Sequence, residues 1–495
     1  MADRLGKTRV IVTTDMEVDD MNSTIHLALY LNDLDVEAFV YTSSQYHFQG
    51  DGVHTLAEAN PHWRTKGVRS YEGEKISGPD PEAGKLTRYR PFPEGWIERL
   101  WDNEYREAYP YLSANAEGYP TSEELLARTY VGNVAFEGDV RQDTPGSDVI
   151  KRAIMDDDPR TLWLLSWGGM NTIVRALMSI AEDWQGTPEW PSVQAKVYQK
   201  VRVMGVMDGV GQDNSWLDHG ARLFPELTFL RVPFSYAGYV DAKFAQPDSI
   251  ELFKTPWPEQ NITTGNGPLM ARYMLYGDGK HYEGEPEKYQ FGEHATLDWG
   301  IPGVGPLVFD AGDFMAEGDS MTFIPLLPFG LRGATDQGFD TVLGKLFRDG
   351  DPAPAGSPSF TSMADAFKPK TTNPNPFLRA FQEDFAARAQ WCAHEPAACN
   401  HAPVITDVCP DVTVAAGETV HLTASASDPD GDELCCRWSL FAADGTAAWE
   451  EASLQANFAV PADAAPGAHY VLTLTVRDKA ARPMTSYAQV GVTVR

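Results

Sequence analysis

Apolar residues follow two different rhythms along this chain. Through the first half they come in short unbroken runs: "RVIVTT" at 9–14, "VEAFVYTS" at 36–43, "TLWLLSWG" at 161–168, "KVRVMGVM" at 200–207 and "LTFLRV" at 227–232. Strands buried on both faces read this way, because neither face has to carry polar residues. Between them lie segments such as "NTIVRALMSIAEDW" at 171–184 and "LDHGARLFPE" at 217–226, whose apolar residues recur three and four apart, as on a helix. Strand and helix in alternation predict βαβ units and a mostly parallel sheet flanked by helices. Long insertions, including "YEGEKISGPDPEAGKLTRYRPFPEGW" at 71–96, read as loops decorating that sheet. Residues 245–380 are rich in Gly and Pro with aromatics interleaved, and are expected to form loops around the mouth of a site. "NPFLRAFQEDFAARAQWC" at 375–392 is an amphipathic helix that closes this unit.

The second rhythm begins after "EPAACNHAPV". In "DVTVAAGETVHLTASASDPDGDELCCRWSLF", "NFAVP", "HYVLTLTVRD" and "YAQVGVTVR", short alternating strands are separated by turn signals about every ten residues. That pattern predicts a C-terminal immunoglobulin-like β-sandwich. The expected division is residues 1–395 and 396–495. "DPDGDE" at 428–433 is read as an exposed acidic hairpin, with a Ca2+ site as the alternative.

Charge narrows the partners. Of 495 residues, 40 are basic and 70 acidic, a formal net charge of −30. A nucleic acid polymer or an anionic membrane surface would call for the opposite sign, whereas cations are favoured. No run of about 18 apolar residues marks a membrane span. The N-terminus "MADRLGKTRV" lacks the apolar core of a leader, so the expected compartment is the cytoplasm, or the periplasm or exterior if a leader has been removed. The five cysteines all fall at 392 or later; Cys392 and Cys399 are a candidate disulfide, and no paired C-x-x-C pattern suggests zinc.

The chemistry concentrates at "RVIVTTDMEVDDMNS", residues 9–23, where a buried strand runs into Asp15, Glu17, Asp19 and Asp20. Ligands of open parallel sheets sit beyond the carboxyl ends of the strands, where these side chains stand. Like charges so close repel unless a cation or a hydrogen-bonding ligand offsets them, and hard oxygen donors suit Ca2+ or Mg2+. The alternative is that Asp19 and Asp20 merely favour a helix N-terminus.

"TTDMEVDD" resembles the D-x-D-x-G-x-D-D signature of the inosine–uridine nucleoside hydrolases. "LSWGGMNTIVRAL" at 165–177 is similar to that family's G-G-x-T-N-x-A-x-A-L turn, "VMGVMDGVGQDNSWLDHGARLFPEL" to its M-G-G…E-x-N…D-P-E-A-A segment, and "EGDSMTFI" at 317–324 to its late His-Asp. The bacterial cellulose-binding, nucleoside-hydrolase-like proteins, which add a C-terminal β-sandwich, are more similar still, through "TPGSDVIKRAI…DDDPRTLWLLSWGGMNT", "EGDSMTF", "DFAARAQWC" and "ANFAVP". The resemblance implies a Ca2+ cofactor held by Asp15, Asp20, Asp319 and the backbone carbonyl of Asn171. It also implies that Asp15 deprotonates a metal-bound water, that Asp19 grips sugar hydroxyls, and that Gln212 and Asn214 bind the sugar.

Three positions depart from the pattern. Thr13 replaces the first aspartate, Glu17 the glycine, and Gly318 the histidine implicated in nucleobase departure. Glu17 is either a new acid or a solvent-facing residue, and the turn is not expected to keep the parent conformation, because glycine tolerates angles that Glu does not. Glu317, His47 and Tyr46 are the candidates to replace the missing acid or to contact sugar; Trp167 is a candidate stacking platform or a core residue; His26 is expected to be packing. The expected function is a Ca2+-dependent glycoside hydrolase of a furanosyl or related sugar. A non-catalytic carbohydrate-binding protein is the alternative, nucleoside N-ribohydrolysis a weaker one, and a homo-oligomer stays open.

Overall fold

The chain is described by a computed structural model over residues 6–44, 47–54, 68–71, 74–77, 95–205, 213–232, 241–280, 295–297, 305–315, 317–348, 351, 375–442 and 445–495. The strands of its first part are β1 (Thr8–Thr14), β2 (Leu34–Tyr41), β3 (Val68–Tyr71), β4 (Glu74–Ser77), β5 (Thr129–Val131), β6 (Leu162–Ser166), β7 (Val201–Gly205), β8 (Thr228–Arg231), β9 (Thr296–Leu297), β10 (Leu307–Val308) and β11 (Phe347–Arg348). Seven of them form one sheet in the order β11-β8-β7-β6-β1-β2-β5. It is parallel throughout except at its β11 edge. β3 and β4 pair as a small hairpin, so the insertion read as loop carries a two-stranded element where it begins. Most of the rest of that insertion lies outside the described residues.

The unbroken apolar runs have the reason expected of them. Val10, Val12, Trp163, Leu165 and Met204 point into one hydrophobic layer. Ile11, Leu162, Leu164, Val201 and Val203 point into the other. Helices α1 (Val18–Ala28), α2 (Arg106–Asn115) and, far along the chain, α6 (Leu378–Gln390) supply the first layer. Helices α3 (Pro145–Met155), α4 (Asn171–Trp184) and α5 (Trp190–Lys200) supply the second. α1 is unusual, because every one of its residues is buried, including Asp19, Asp20, Asn22, Ser23, Thr24 and His26. A helix normally keeps a polar face for water. Here the polar face is turned inward.

The C-terminal strands are β12 (Val404–Val408), β13 (Val412–Val414), β14 (Thr419–Ser427), β15 (Leu434–Phe441), β16 (Ala447–Glu451), β17 (Gln455–Ala459), β18 (His469–Asp478) and β19 (Thr485–Val494). They form a three-stranded sheet, β12-β14-β17, and a five-stranded one, β13-β19-β18-β15-β16. Pairing is antiparallel except for β13 with β19. Trp438, Phe458, Leu472, Leu474, Val490 and Val492 fill the space between the sheets. "DPDGDE" is the β14–β15 turn. Asp428 Oδ1 accepts the amides of Asp430 and Asp432 (2.9 and 3.0 Å), and Asp430 accepts the His401 amide at 2.8 Å. Its carboxylates therefore brace a hairpin and tie it to the connecting segment. The candidate disulfide is not formed: Cys392 and Cys399 are both thiols. Burial holds Cys392 well above the ordinary thiol range, which keeps it protonated and inert.

The sandwich covers an apolar face of the α/β part. Tyr487 and Met484 on and before β19 are buried in that part's core, and the Phe377 ring meets Tyr487 edge-on at 5.2 Å. The Tyr487 amide donates to Phe329 O (2.8 Å). Arg332 forks onto both carboxylate oxygens of Asp411 at 2.7 and 3.0 Å. Gly330 permits this approach: at φ +87°, a Cβ there would lie 1.7 Å from the Tyr487 carbonyl oxygen. Gly330→Ala is therefore expected to destabilise the protein by about 2 kcal/mol or more, read as a lowered urea midpoint; a change below about 0.5 kcal/mol would mean the two parts are not seated this way.

Candidate functional site

The chain grows outward from β1 in two directions. β2 and β5 lie on one side of it, and β6, β7 and β8 follow on the other. The strand order thus reverses between β1 and β6, which opens a crevice at their carboxyl ends. Asp15 directly follows β1, Ser43, Ser44 and His47 follow β2, Gly168, Gly169 and Asn171 follow β6, and Asp213 and Asn214 come after β7. Topology alone brings four loops to one place.

The turn after β1 is strained. Met16 has φ +63°, and among the described residues it is the non-glycine with positive φ. Such a conformation costs on the order of 1–3 kcal/mol and persists only where the surroundings enforce it. Here the Met16 amide donates to Thr14 Oγ1 (3.0 Å) and the Glu17 amide to Asp15 Oδ1 (3.3 Å). Glu17 itself is ordinary, at φ −57° and ψ 163°. The glycine of the resembled signature is therefore not needed at 17, because the unusual angle has moved to the preceding residue. Glu17 is also not solvent-facing: it is buried, and its charge adds to the field on Asp15.

The result is a nest of carboxylates. Asp15, Asp20 and Asp319 are all but inaccessible, and Asp19 is 7 % exposed. Carboxylate oxygens of Asp19, Asp20 and Asp319 lie within 4.8 Å of one another. The Thr14 hydroxyl donates to Asp20. The charges of Asp319, Asp15 and Asp19 all bear on Asp20. The Oδ2 atoms of Asp15, Asp20 and Asp319 are buried with no hydrogen-bond partner among the described residues. Burial, then the neighbouring negative charges, pushes Asp15 up to about 7 and holds Asp20 and Asp319 well above the usual carboxylate range. Hard oxygen donors with unsatisfied lone pairs at one point fit a Ca2+ ion.

Asn171 opens α4, and its side chain is fully committed. Its Nδ2 donates to Ser43 Oγ, Asn133 O and Asp139 O (2.9, 2.7 and 3.1 Å), and its Oδ1 accepts the Thr42 hydroxyl at 2.6 Å. The side chain thus ties together the loops that follow β2 and β5. Gly168 and Gly169 let the loops touch: a Cβ at 168 would stand 2.9 Å from Asp15 Cγ, and one at 169 would stand 2.2 Å from Ser43 O and 2.4 Å from Asp213 Oδ2.

Other expected residues are sorted less uniformly. Trp167 is a core residue with no face to offer a sugar: it is 1 % exposed, packs in the first hydrophobic layer and donates its indole N–H to Thr322 Oγ1 at 2.7 Å. His47 is buried in the β2 loop, where its amide donates to Ser44 Oγ (3.2 Å), and Ser44 in turn hydrogen-bonds Asp15. Asn214 is buried beside Asp213. Tyr46 and Gln212 lie outside the described residues. Glu317 is fully buried with both oxygens engaged, Oε2 against His26 Nδ1 (2.6 Å) and Oε1 against the Tyr273 hydroxyl. His26, expected to be packing alone, is thus part of a polar network. Asp213 escaped the sequence reading because it sits between the two residues that the motif singles out. It is buried, accepts the Asn171 amide at 3.0 Å, and caps the helix that carries the loop.

Comparison with known proteins gives the family and a solved structure of similar fold. Residues 9–345 match the family described as cellulose-binding Sde182, nucleoside hydrolase-like domain, and residues 419–494 match the C-terminal domain of cellulose-binding protein Sde0182. A solved structure from Saccharophagus degradans, described as a nucleoside hydrolase-related hypothetical protein associated with carbohydrate metabolism, is similar in fold. It is 24 % identical with a TM-score of 0.64, over 99 % of this chain and 100 % of that one. No curated protein matches. Among the described residues, no helix is long and apolar enough to cross a membrane.

The raised carboxyl groups set a pH dependence. A folded-state value of about 7 for Asp15, against 3.8 for the ordinary group, means the folded chain holds the proton more tightly. The stability this contributes is present at low pH and is lost as pH rises from about 4 to about 7. In chelator, the urea midpoint should fall across that window. Asp15→Asn, which removes the charge and nearly keeps the shape, should be the more stable protein at pH 8 by roughly 2–4 kcal/mol. A flat profile, the same for both proteins, would show that the cluster is not buried as described.

Proposed function

The chain belongs to the cellulose-binding, nucleoside-hydrolase-like family, and from that premise we propose that it is a Ca2+-dependent glycoside hydrolase acting on a furanosyl or related sugar. The observation that carries this reading is the convergence of four buried carboxylates, three with an unpaired oxygen, at the sheet's switch point. Asp15, Asp20, Asp319 and the Asn171 carbonyl would hold the ion, which when bound neutralises the cluster and acidifies water.

The chain's own residues then divide the work. Asp15 receives a proton from the attacking water at its unpaired Oδ2, and Ser44 and the Glu17 amide fix its orientation through hydrogen bonds. Asp19, the most open of the four, accepts sugar hydroxyls. The negative ring of carboxylates favours the positive charge that develops on an anomeric carbon. A single displacement inverts that carbon. His47, in the loop that reaches Asp15, is the remaining described candidate to protonate the leaving group.

One observation favours the binding-only reading. Gly318 stands where the resembled inosine–uridine nucleoside hydrolases carry their histidine acid, and Glu317 beside it has both oxygens engaged away from that role. The same cluster would then grip a glycan without turnover.

A panel of aryl furanosides, pyranosides and nucleosides, assayed with Ca2+ or chelator, separates these readings. Release of one inverted sugar that needs Ca2+, reduced about 10³-fold or more in Asp15→Ala, is the expected result. Ca2+-dependent retention on cellulose or oligosaccharide with no turnover would establish the binding protein. Cleavage confined to nucleosides would return the chain to the parent chemistry.

A further inference from the structure

Behind the carboxylates lies a second group of polar side chains that the proposed chemistry does not use. On α1, Asp19 and Asp20, then Ser23, then His26 follow at spacings of three and four, so they line one face of the helix. The segment that carries Asp319 is fastened to this face on both sides of the aspartate. Before it, Glu317 meets His26 Nδ1 at 2.6 Å and accepts the Tyr273 hydroxyl. After it, Ser320 Oγ donates to Ser23 Oγ at 3.0 Å. The anchors are themselves held. The His26 ring stacks on Phe385 of α6 with centroids 3.6 Å apart, and Asn22 clamps the Met274 backbone through both its amide groups (2.9 and 3.0 Å). His26, Glu317 and Tyr273 are each 0 % exposed, and both Glu317 oxygens are taken up by the other two.

We infer that Glu317, His26 and Tyr273 are positioning residues that seat Asp319 on the carboxylate cluster, and that the Ca2+ affinity of this chain depends on them. The inference rests on the Ca2+ reading above. Its physical basis is that Asp319 comes from a segment with little regular structure, a single turn at Ser320–Thr322. Unlike Asp19 and Asp20, it has no helix to place it. A buried carboxylate repelled by three neighbours leaves the cluster unless its backbone is fixed, and partners at this remove from a metal typically change affinity 10- to 100-fold. A helix face that carries two ligands and also fastens the third provides that fixation.

Isothermal titration of Ca2+ tests this in wild type, Glu317→Ala, Glu317→Gln and Tyr273→Phe, with melting in chelator run alongside. Glu317→Ala should weaken Ca2+ about 10-fold or more, Glu317→Gln should recover part of the loss, and Tyr273→Phe should weaken it about threefold. A sandwich-core variant of matched melting temperature, Val476→Ala, should bind Ca2+ as wild type does, so a purely structural role would not give this pattern. If Glu317→Ala fails to fold, Tyr273→Phe decides, since it removes a single hydroxyl. Wild type that binds Ca2+, with Glu317 and Tyr273 variants within twofold of it, overturns the inference alone. Wild type that binds no Ca2+ overturns both the metal reading and this one.

Discussion

Mutual repulsion among four buried carboxylates is the constraint around which this protein is arranged. Asp15, Asp19, Asp20 and Asp319 are withdrawn from water at one point, with Glu17 beside them. Burying even one such charge costs several kcal/mol unless it is paired, protonated or bound to a metal. The positive φ of Met16, the glycine pair at 168–169 and a helix with no solvent face all serve the approach of these groups.

The rest of the α/β part distributes that load. Parallel pairing places four strand ends beside one another, so each loop has only a few residues to travel. Asp213 and Asn171 join two of these loops, and Ser43 and Thr42 join a third. The late segment with Asp319 has no strand to guide it and is held instead by side chains from α1. The clustered carboxylates thus come from two mechanical origins, one set by sheet topology and one set by a buried polar network.

The sandwich belongs to the same account. It docks on α6 and on the backbone at Phe329–Arg332, which begins ten residues beyond Asp319. Glu383 of α6 pairs with Arg477 of β18, and Phe385, two residues on, stacks on His26. The second part therefore seals an apolar face of the first and also presses on the elements that stand behind the site. A role in covering that face does not require a ligand of its own.

Much of this was legible in the residues. Continuous apolar runs reported strands buried on both faces, and their alternation with helical spacing reported a parallel sheet, because those periods follow directly from backbone geometry. The acidic turn at the end of β1 and the change of texture near residue 403 were equally readable, and Asp319 far along the chain was marked by the family resemblance. Other features were not. Trp167 reads the same whether it stacks on a ligand or packs against Phe323, and only its surroundings distinguish the two. Glu317 reads as a free acid until His26, 291 positions away, is found against it. Asp213 is hidden between two motif residues, and the positive φ of the altered turn falls on Met16 rather than on Glu17. Periodicity and residue type are local properties, so the sequence by itself determined the elements, the fold class and the crowding of carboxylates at one strand end. Partnership between distant side chains depends on how the layers pack, and that was decided only by the tertiary structure.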